Sequence, residues 1–303
     1  MRIRLLALAA FASLWIVTAQ APAQVACGDT VMADTVLDAD LTCTGNTGLV
    51  MGADDVTLWL NGHTITGPGA EVEGSDGIAD DGNARSGVVI RGGTITGFQD
   101  GIDLDASHSD VKGLQVGAGA VGIAVRGDDN FIYSNTTDFA GFTGIEVVGN
   151  NTYMWGNHVT GGTEDGIVSD GNNPRLVFNS VDGCVFDGMV VVGYAQGIVA
   201  RNTITGCDIG IDPSGTGLKV QHNDVPGNCI GLFVDDPAAL VRFNTANGNC
   251  ETGIVSAQAG ATLTGNTAND NGQVGIDAVE NTVDGGGNTA TGNPTDNCLG
   301  VLC

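Results

Sequence analysis

Four carboxylates and one guanidinium occupy equivalent places in a series of short predicted strands. They are Asp103, Asp105, Glu146, Asp170 and Arg126. Side chains two residues apart on a strand point the same way, so Asp103 and Asp105 would lie about 6.5–7 Å apart. That separation leaves room for a water molecule between two carboxylates, as inverting glycoside hydrolysis requires. These five residues are the candidate catalytic group. The alternative is that Arg126, stacked over Asp105, forms a surface ion pair that contributes little to stability.

A second group combines aromatic side chains with a cation. Phe131, Tyr133, Tyr153 and Trp155 fall at predicted outward positions of two consecutive repeats, and Arg175 follows on the next. Aromatic faces stack on sugar rings, exposed apolar patches mark interaction surfaces, and a guanidinium can hold a carboxylate or sulfate. We therefore expect Tyr133, Tyr153, Trp155 and Arg175 to bind a polysaccharide. The alternative is that a loop or a second subunit covers the patch.

A third group is acidic. The Gly-rich segment 67–86 interrupts the repeat and carries Glu71, Glu73, Asp76, Asp80 and Asp81. Hard oxygen ligands on such a loop suit Ca²⁺, although the spacing does not match an EF-hand loop. The segment is therefore a candidate calcium site, with a solvated acidic loop as the alternative. The sequence indicates no other cofactor.

The elements that must position these groups follow from a repeat. A Gly followed by a large aliphatic residue recurs nine times between residues 101 and 276, at intervals of 21 or 22 residues. Such a period is the signature of a stacked repeat architecture. The pattern predicts that Gly turns the chain, that the aliphatic residue points inward, and that three short strands complete each rung. About ten rungs of 22 residues are expected.

An Asn recurs with the same period, about thirteen residues after each Gly from Gly122 onwards. The positions are Asn135, Asn157, Asn179, Asn202, Asn223, Asn244, Asn266 and Asn288. Stacked amides can donate to one neighbour and accept from the other, as in cross-β assemblies. We interpret the column as a structural ladder.

The cysteines agree with this register. Cys184, Cys207, Cys229 and Cys250 lie five or six residues after successive ladder positions, and one strand spacing suits the usual Cα–Cα range of a disulfide. We predict the pairs Cys184–Cys207 and Cys229–Cys250, with Cys207–Cys229 as the alternative. Cys27 is expected to pair with Cys43, and Cys298 with Cys303.

The ends of the chain and its charge restrict the location and the partners. Residues 1–23 have the basic start, apolar run and small-residue cleavage site of a secretory signal. Eight cysteines in an exported chain predict disulfides, and the protein is expected to be secreted or periplasmic.

A net charge of −25 argues against nucleic acid as a partner, because phosphate binding needs clustered Lys and Arg. No later apolar run is long enough to span a bilayer. The oligomeric state is left open.

The repeat and the Leu60–Ile65 segment, Leu-Asn-Gly-His-Thr-Ile, resemble the right-handed parallel β-helix proteins of the pectate-lyase-like superfamily. The resemblance spans residues 27–303 and implies an all-β fold: one right-handed parallel β-helix with disulfide-bonded end caps. We assign residues 24–51 to the N-terminal cap, 52–290 to the β-helix and 291–303 to the C-terminal cap. The superfamily includes pectate and alginate lyases, polygalacturonases, epimerases, tailspikes and adhesins. The characteristic motifs of the polygalacturonases, alginate epimerases and pectate lyases are absent from this sequence.

These observations favour a secreted protein that binds an extracellular polysaccharide. Whether it also cleaves or modifies that polysaccharide, as a lyase or a hydrolase, is left open. The competing hypothesis is a rod without enzymatic activity, with a structural, adhesive or accessory role, whose acids serve solubility.

Overall fold

The computed structural model describes residues 25–139, 141–193 and 196–303, and within these ranges every regular element is a β-strand. The predicted signal at residues 1–23 lies outside the described residues. In the described part no helix is long and apolar enough to cross a bilayer. The strands form a right-handed parallel β-helix with three sheets running along one axis.

The Gly-Ile sheet contains the strands that carry the repeated Gly-aliphatic pair. Its separate strands are Thr30–Val31, Thr47–Met51, Asp76–Asp80, Thr143–Val148, Asp165–Asp170, Asp187–Gly193, Ile209–Gly215, Ile230–Val234, Thr252–Ser256, Val274–Ala278 and Asp296–Leu299. Two long strands, Val89–Ser107 and Asp110–Arg126, bend through all three sheets. Arg85–Ser86 adds a short strand beside Ala106 and Ser107.

The Asn sheet contains the strands that precede the ladder asparagines. Its separate strands are Thr35–Val36, Thr57–Trp59, Phe131–Tyr133, Tyr153–Trp155, Arg175–Val177, Ile198–Ala200, Lys219–Gln221, Leu240–Arg242, Thr262–Thr264 and Val283–Asp284. The third sheet contains Leu41–Thr42, Thr64–Thr66, Thr136–Phe139, His158–Gly161, Ser180–Asp182 and Thr203–Thr205. It continues as single parallel bridges through Asp224, Thr245, Thr267 and Thr289.

The register confirms the predicted fold and corrects its length. Like positions of successive rungs pair in parallel, as in Phe131 with Tyr153 and Tyr153 with Arg175. The helix has about twelve turns rather than ten. The difference arises partly at the N-terminal end, where Thr30–Val31, Thr35–Val36 and Leu41–Thr42 form a coil that pairs with the next one.

The core is a stack of the aliphatic residues that follow each repeated Gly, and those from Ile102 to Ile276 are fully buried. The Gly itself does not turn the chain as expected, because it lies inside the strand, where successive rungs approach closely. A side chain at Gly144 would meet Val159 and would place its Cβ 2.7 Å from the carbonyl O of Gly166.

The asparagines form the predicted ladder. The Nδ2 of Asn135 donates to the Oδ1 of Asn157 at 3.1 Å, and the same bond recurs up to Asn266 and Asn288. Each buried amide thus has partners on both sides, which removes the cost of burying polar groups in the turn. A second buried ladder, absent from the sequence interpretation, runs through Asn228, Asn249, Asn271 and Asn293. Its signal is a second Asn five residues after each of the last four ladder positions.

All four predicted disulfides are present. Cys27–Cys43 lies near the N-terminal end and Cys298–Cys303 at the C-terminal end. Cys184–Cys207 and Cys229–Cys250 join adjacent rungs with Cα–Cα distances of 4.7 and 4.4 Å. They occupy neighbouring columns, because Cys207 aligns with Asn228, the residue before Cys229.

Candidate functional site

The solvent-facing surface of the Asn sheet, here called the Asn face, carries the predicted aromatic group. Phe131 and Trp155 are 38% and 40% exposed, and Tyr133 and Tyr153 are partly exposed. The rings of Phe131 and Tyr153 lie 4.4 Å apart across the two rungs, and Tyr133 meets Phe131 edge-on at 5.2 Å. Strand pairing therefore assembles these four residues, the aromatic patch, into one continuous surface.

Arg175 lies on the next rung, paired in register with Tyr153. Together with Asp129, Asn130, Phe131, Asn151 and Tyr153 it lines a shallow groove of about 430 Å³. The structure thus brings Tyr133, Tyr153, Trp155 and Arg175 together as expected, while their role in binding stays a prediction.

The cations of this acidic protein are concentrated on the same face. Ten Lys and Arg occur in the sequence, and eight of them follow the predicted signal. Six of these eight lie in the Asn sheet or at its edge: Arg91, Lys112, Arg175, Arg201, Lys219 and Arg242. The strands of this sheet contain only two acids, Asp110 and Asp284, and Asp110 is paired with Lys112 at 2.8 Å. The strands of the Asn sheet therefore carry more basic than acidic side chains on a molecule whose net charge is −25, while Asp129 and Asp34 lie at the edge of the face.

Cations and aromatic rings are in contact along this face. The guanidinium of Arg91 lies 4.7 Å from the ring centre of Trp59, and the Nζ of Lys112 lies 5.3 Å from that of Tyr133. Beside Trp59, an open cavity of about 540 Å³ lies along the edge of the sheet, lined in part by Gly92 and Gly113. Such pairs present both a flat apolar surface and a charge to a ligand.

The candidate catalytic group lies on a different sheet, the Gly-Ile sheet. Arg126 pairs in register with Asp105, yet its guanidinium hydrogen-bonds to Asp103 and lies 3.7 Å from Asp105. Glu146 is on the next rung, and Asp170 lies two rungs from Arg126. Both aspartates thus lie beside one partly exposed cation. A surface ion pair accounts for this arrangement, and no catalytic role is needed to explain it.

Carboxyls at the start of the Gly-Ile strands stack on one another. Burial raises the pKa of Asp187 to about 7, and the nearby Asp165, Asp212 and Asp208 act in the same direction. Burial likewise raises the pKa of Asp76 to about 6, with smaller contributions from Asp100, Asp103 and Asp80. These shifts are expected where like charges share a half-buried column.

The five acids of the candidate calcium loop do not form one cluster. Asp76 and Asp80 begin and end a strand, Asp81 is paired with Arg85, and Glu71 and Glu73 are exposed. Asp80 accepts hydrogen bonds from the backbone N–H groups of Gly82 and Asp105. Over residues 25–139, 141–193 and 196–303, no three His, Cys, Asp or Glu side chains are placed to hold a metal ion. The geometry gives the calcium prediction no support.

The sequence interpretation missed a row of side chains at the edge of the Asn face. The residue before each ladder asparagine has a left-handed backbone; it is Gly at three rungs, Gly156, Gly265 and Gly287, and Ser134 at the first. On four consecutive rungs it is instead Phe178, Arg201, His222 and Phe243, all exposed. We call these four residues the corner stripe. Their signal in the sequence was a large residue directly before four successive ladder asparagines.

Comparisons with known proteins agree with the fold. Residues 100–238 match the family described as right handed beta helix region. No curated protein sequence matches the chain.

Three solved structures illustrate the similarity. The A-module of the Azotobacter vinelandii mannuronan C-5 epimerase AlgE6 is 16% identical, with a TM-score of 0.52, and the alignment covers 89% of this chain and 80% of that one. A GH87 alpha-1,3-glucanase catalytic domain in complex with tetrasaccharides is 13% identical, with a TM-score of 0.58 and coverage of 86% and 63%. The receptor-binding tailspike protein of bacteriophage Det7 is 10% identical, with a TM-score of 0.55 and coverage of 88% and 70%. The chain spans less than two thirds of several of the matched structures, and identities this low show the fold alone.

Proposed function

We propose that this right-handed parallel β-helix protein is a secreted or periplasmic protein that binds an extracellular polysaccharide on its Asn face. The observation that carries the proposal is the aromatic patch, four rings on two adjacent rungs, continued by Arg175. Stacked rungs repeat the same outward positions about every 4.8 Å, which suits a long polymer lying along the axis. Aromatic faces supply apolar contact to sugar rings, and Arg175 supplies a donor pair for an acidic substituent.

The neighbours are consistent with this proposal. They include a mannuronan C-5 epimerase module, an alpha-1,3-glucanase catalytic domain in complex with tetrasaccharides and a bacteriophage receptor-binding protein. Cleavage or modification is the further step for which Asp103, Asp105, Glu146, Asp170 and Arg126 remain the candidates. A rod without enzymatic activity agrees equally well with the contact between Arg126 and the two aspartates.

The test is affinity electrophoresis and calorimetry over a polysaccharide panel, with reducing-end and 235-nm absorbance assays run in parallel, with and without calcium. Trp155→Ala is expected to weaken binding about tenfold, because truncating a central aromatic contact costs at least about 1.4 kcal/mol. Phe186→Ala is the matched control, since Phe186 is 53% exposed but lies outside the patch. No binding across the panel, or equal losses for the two variants, would contradict the proposal.

A further inference from the structure

The corner stripe places large side chains where the backbone favours glycine. Phe178, Arg201, His222 and Phe243 have φ values of 60°, 57°, 57° and 56°. The left-handed region brings a Cβ close to the following carbonyl oxygen, so bulky residues there are outliers, whereas glycine adopts it freely. The equivalent residue is Gly156 on the rung before Phe178 and Gly265 on the rung after Phe243. Strained positions of this kind cluster at functional sites.

The side chains of the stripe touch in two pairs, and the first pair adjoins the aromatic patch. Trp155 meets Phe178 edge-on at 6.4 Å, and the guanidinium of Arg201 lies 5.6 Å from the ring centre of Phe178. His222 stacks on Phe243 with ring centres 5.3 Å apart. All four residues are exposed. The stripe therefore places large exposed side chains on the four rungs that follow the patch.

The cations of the Asn face and the distance between its rungs indicate which class of ligand the stripe would bind. Arg175, Arg201, Lys219 and Arg242 lie on the rungs of the stripe, on a protein of net charge −25. These cations favour an anionic ligand on this face. Rungs about 4.8 Å apart match the length of one pyranose unit in an extended chain, so successive sugars can meet successive rungs. A nucleic acid would be repelled by the rest of the molecule and would need a larger basic surface.

We infer that the corner stripe is an extended binding site for an anionic polysaccharide, in which Phe178 and Phe243 contact sugar rings and Arg201 binds their carboxylate or sulfate groups. This inference rests on the proposed function and specifies its ligand class. It also explains why these rungs keep strained residues that glycine could replace.

The experiment compares binding and stability in the same variants. The probes are polygalacturonate, dextran sulfate, uncharged dextran and a single-stranded DNA oligonucleotide. Wild-type protein is expected to bind one or both anionic polysaccharides at least tenfold more tightly than dextran, with affinity falling as salt rises. Phe178→Gly and Phe243→Gly are each expected to weaken this binding about fivefold to tenfold. The same changes should raise the Tm by about 1–3 °C, because they relieve backbone strain.

Ser134→Gly is the matched control, because Ser134 has the same backbone conformation (φ 55°) but lies outside the stripe. It should raise the Tm without changing affinity. Arg201→Gln should weaken anionic binding about tenfold, whereas Asn281→Asp, an equal charge change at a distant exposed turn, should have a much smaller effect.

The outcomes separate this inference from the proposed function. If Trp155→Ala weakens binding while the Phe→Gly variants leave it unchanged, the stripe is not a site and the aromatic patch stands. Tighter binding of dextran than of both anionic polymers would refute the ligand class, and equal binding of DNA would refute its restriction to polysaccharides. A fall in Tm without any loss of affinity would show that the rings serve the fold.

Discussion

The half-buried carboxyl of Asp187 makes stability depend on pH in a defined direction. It begins the strand Asp187–Gly193, and its backbone N–H donates to the carboxylate of Asp165 on the preceding rung. Burial raises its pKa from 3.8 to about 7, with Asp165, Asp212 and Asp208 adding repulsion. The folded state therefore retains a proton that the unfolded chain loses between those two values. The stabilisation due to this proton is fully present below about pH 4 and is lost as pH rises through about 7.

A shift of about three pKa units corresponds to about 4 kcal/mol at most, at 1.36 kcal/mol per unit. The group is only half-buried, so solvent screening reduces the contribution to about 1–2 kcal/mol. An amide resembles the protonated acid in shape and cannot ionise. Asp187→Asn should therefore raise the Tm by about 2–5 °C at pH 8 and leave it nearly unchanged at pH 4.

The assay is thermal unfolding followed by circular dichroism or calorimetry between pH 4 and pH 8. Asp170→Asn is the control, because Asp170 is exposed at the end of the neighbouring strand. An equal gain at pH 4 and pH 8 would show that the effect is not electrostatic. An unchanged Tm at pH 8 would refute the argument from burial.

Three further changes test the scaffold. Asn223→Ala removes one member of the buried ladder and leaves the amide of Asn202 without its acceptor, so it should cost about 2–4 kcal/mol by denaturant unfolding. Asn172→Ala in an exposed amide row should cost less than about 1 kcal/mol, and equal losses would contradict the ladder's role. Replacing Cys184 and Cys207 by Ser opens a crosslink that spans 23 residues and should cost about 3 kcal/mol, whereas an unchanged free energy of unfolding would argue against it as a stabilising bridge. Gly144→Ala should cost about 1–3 kcal/mol through its clash with the adjacent rung, and a neutral effect would show that the rungs can separate.

The rungs could be predicted because their signals are local and repeated. The aliphatic residue after each Gly and the ladder Asn fix the register, and the register in turn aligns the cysteines and the aromatic patch. The number of turns was underestimated partly because Thr30–Val31 and Leu41–Thr42 lack the repeated motif, although they pair as strands.

The side chains at the corners were harder to predict. Strand alternation gives the direction of Tyr153 and Trp155, but it does not describe a residue with a left-handed backbone such as Phe178. The backbone register also does not determine which group a long side chain contacts. Arg126 pairs with Asp105 along the backbone, yet its guanidinium hydrogen-bonds to Asp103. The clustering of cations depends on which sheet each strand belongs to, and the spacing of Lys and Arg along the chain does not carry that information.

The buried asparagine ladder has a polarity. From Asn135 onwards the Nδ2 of each amide donates to the Oδ1 of the next amide towards the C-terminal end, and also back to a backbone carbonyl of the preceding rung. Every side-chain carbonyl thus points towards the N-terminal end, so the amide dipoles share one direction, as peptide dipoles do in a helix. The positive end falls at Asn288, whose Nδ2 donates to the carboxylate of Asp284 at 3.2 Å. The backbone N–H of Leu302 holds the pKa of Asp284 below its usual value, with further help from Gly286 and Asn288. An ionised Asp284 thus pairs with the positive end of the ladder, so the two ends of the ladder are chemically unlike.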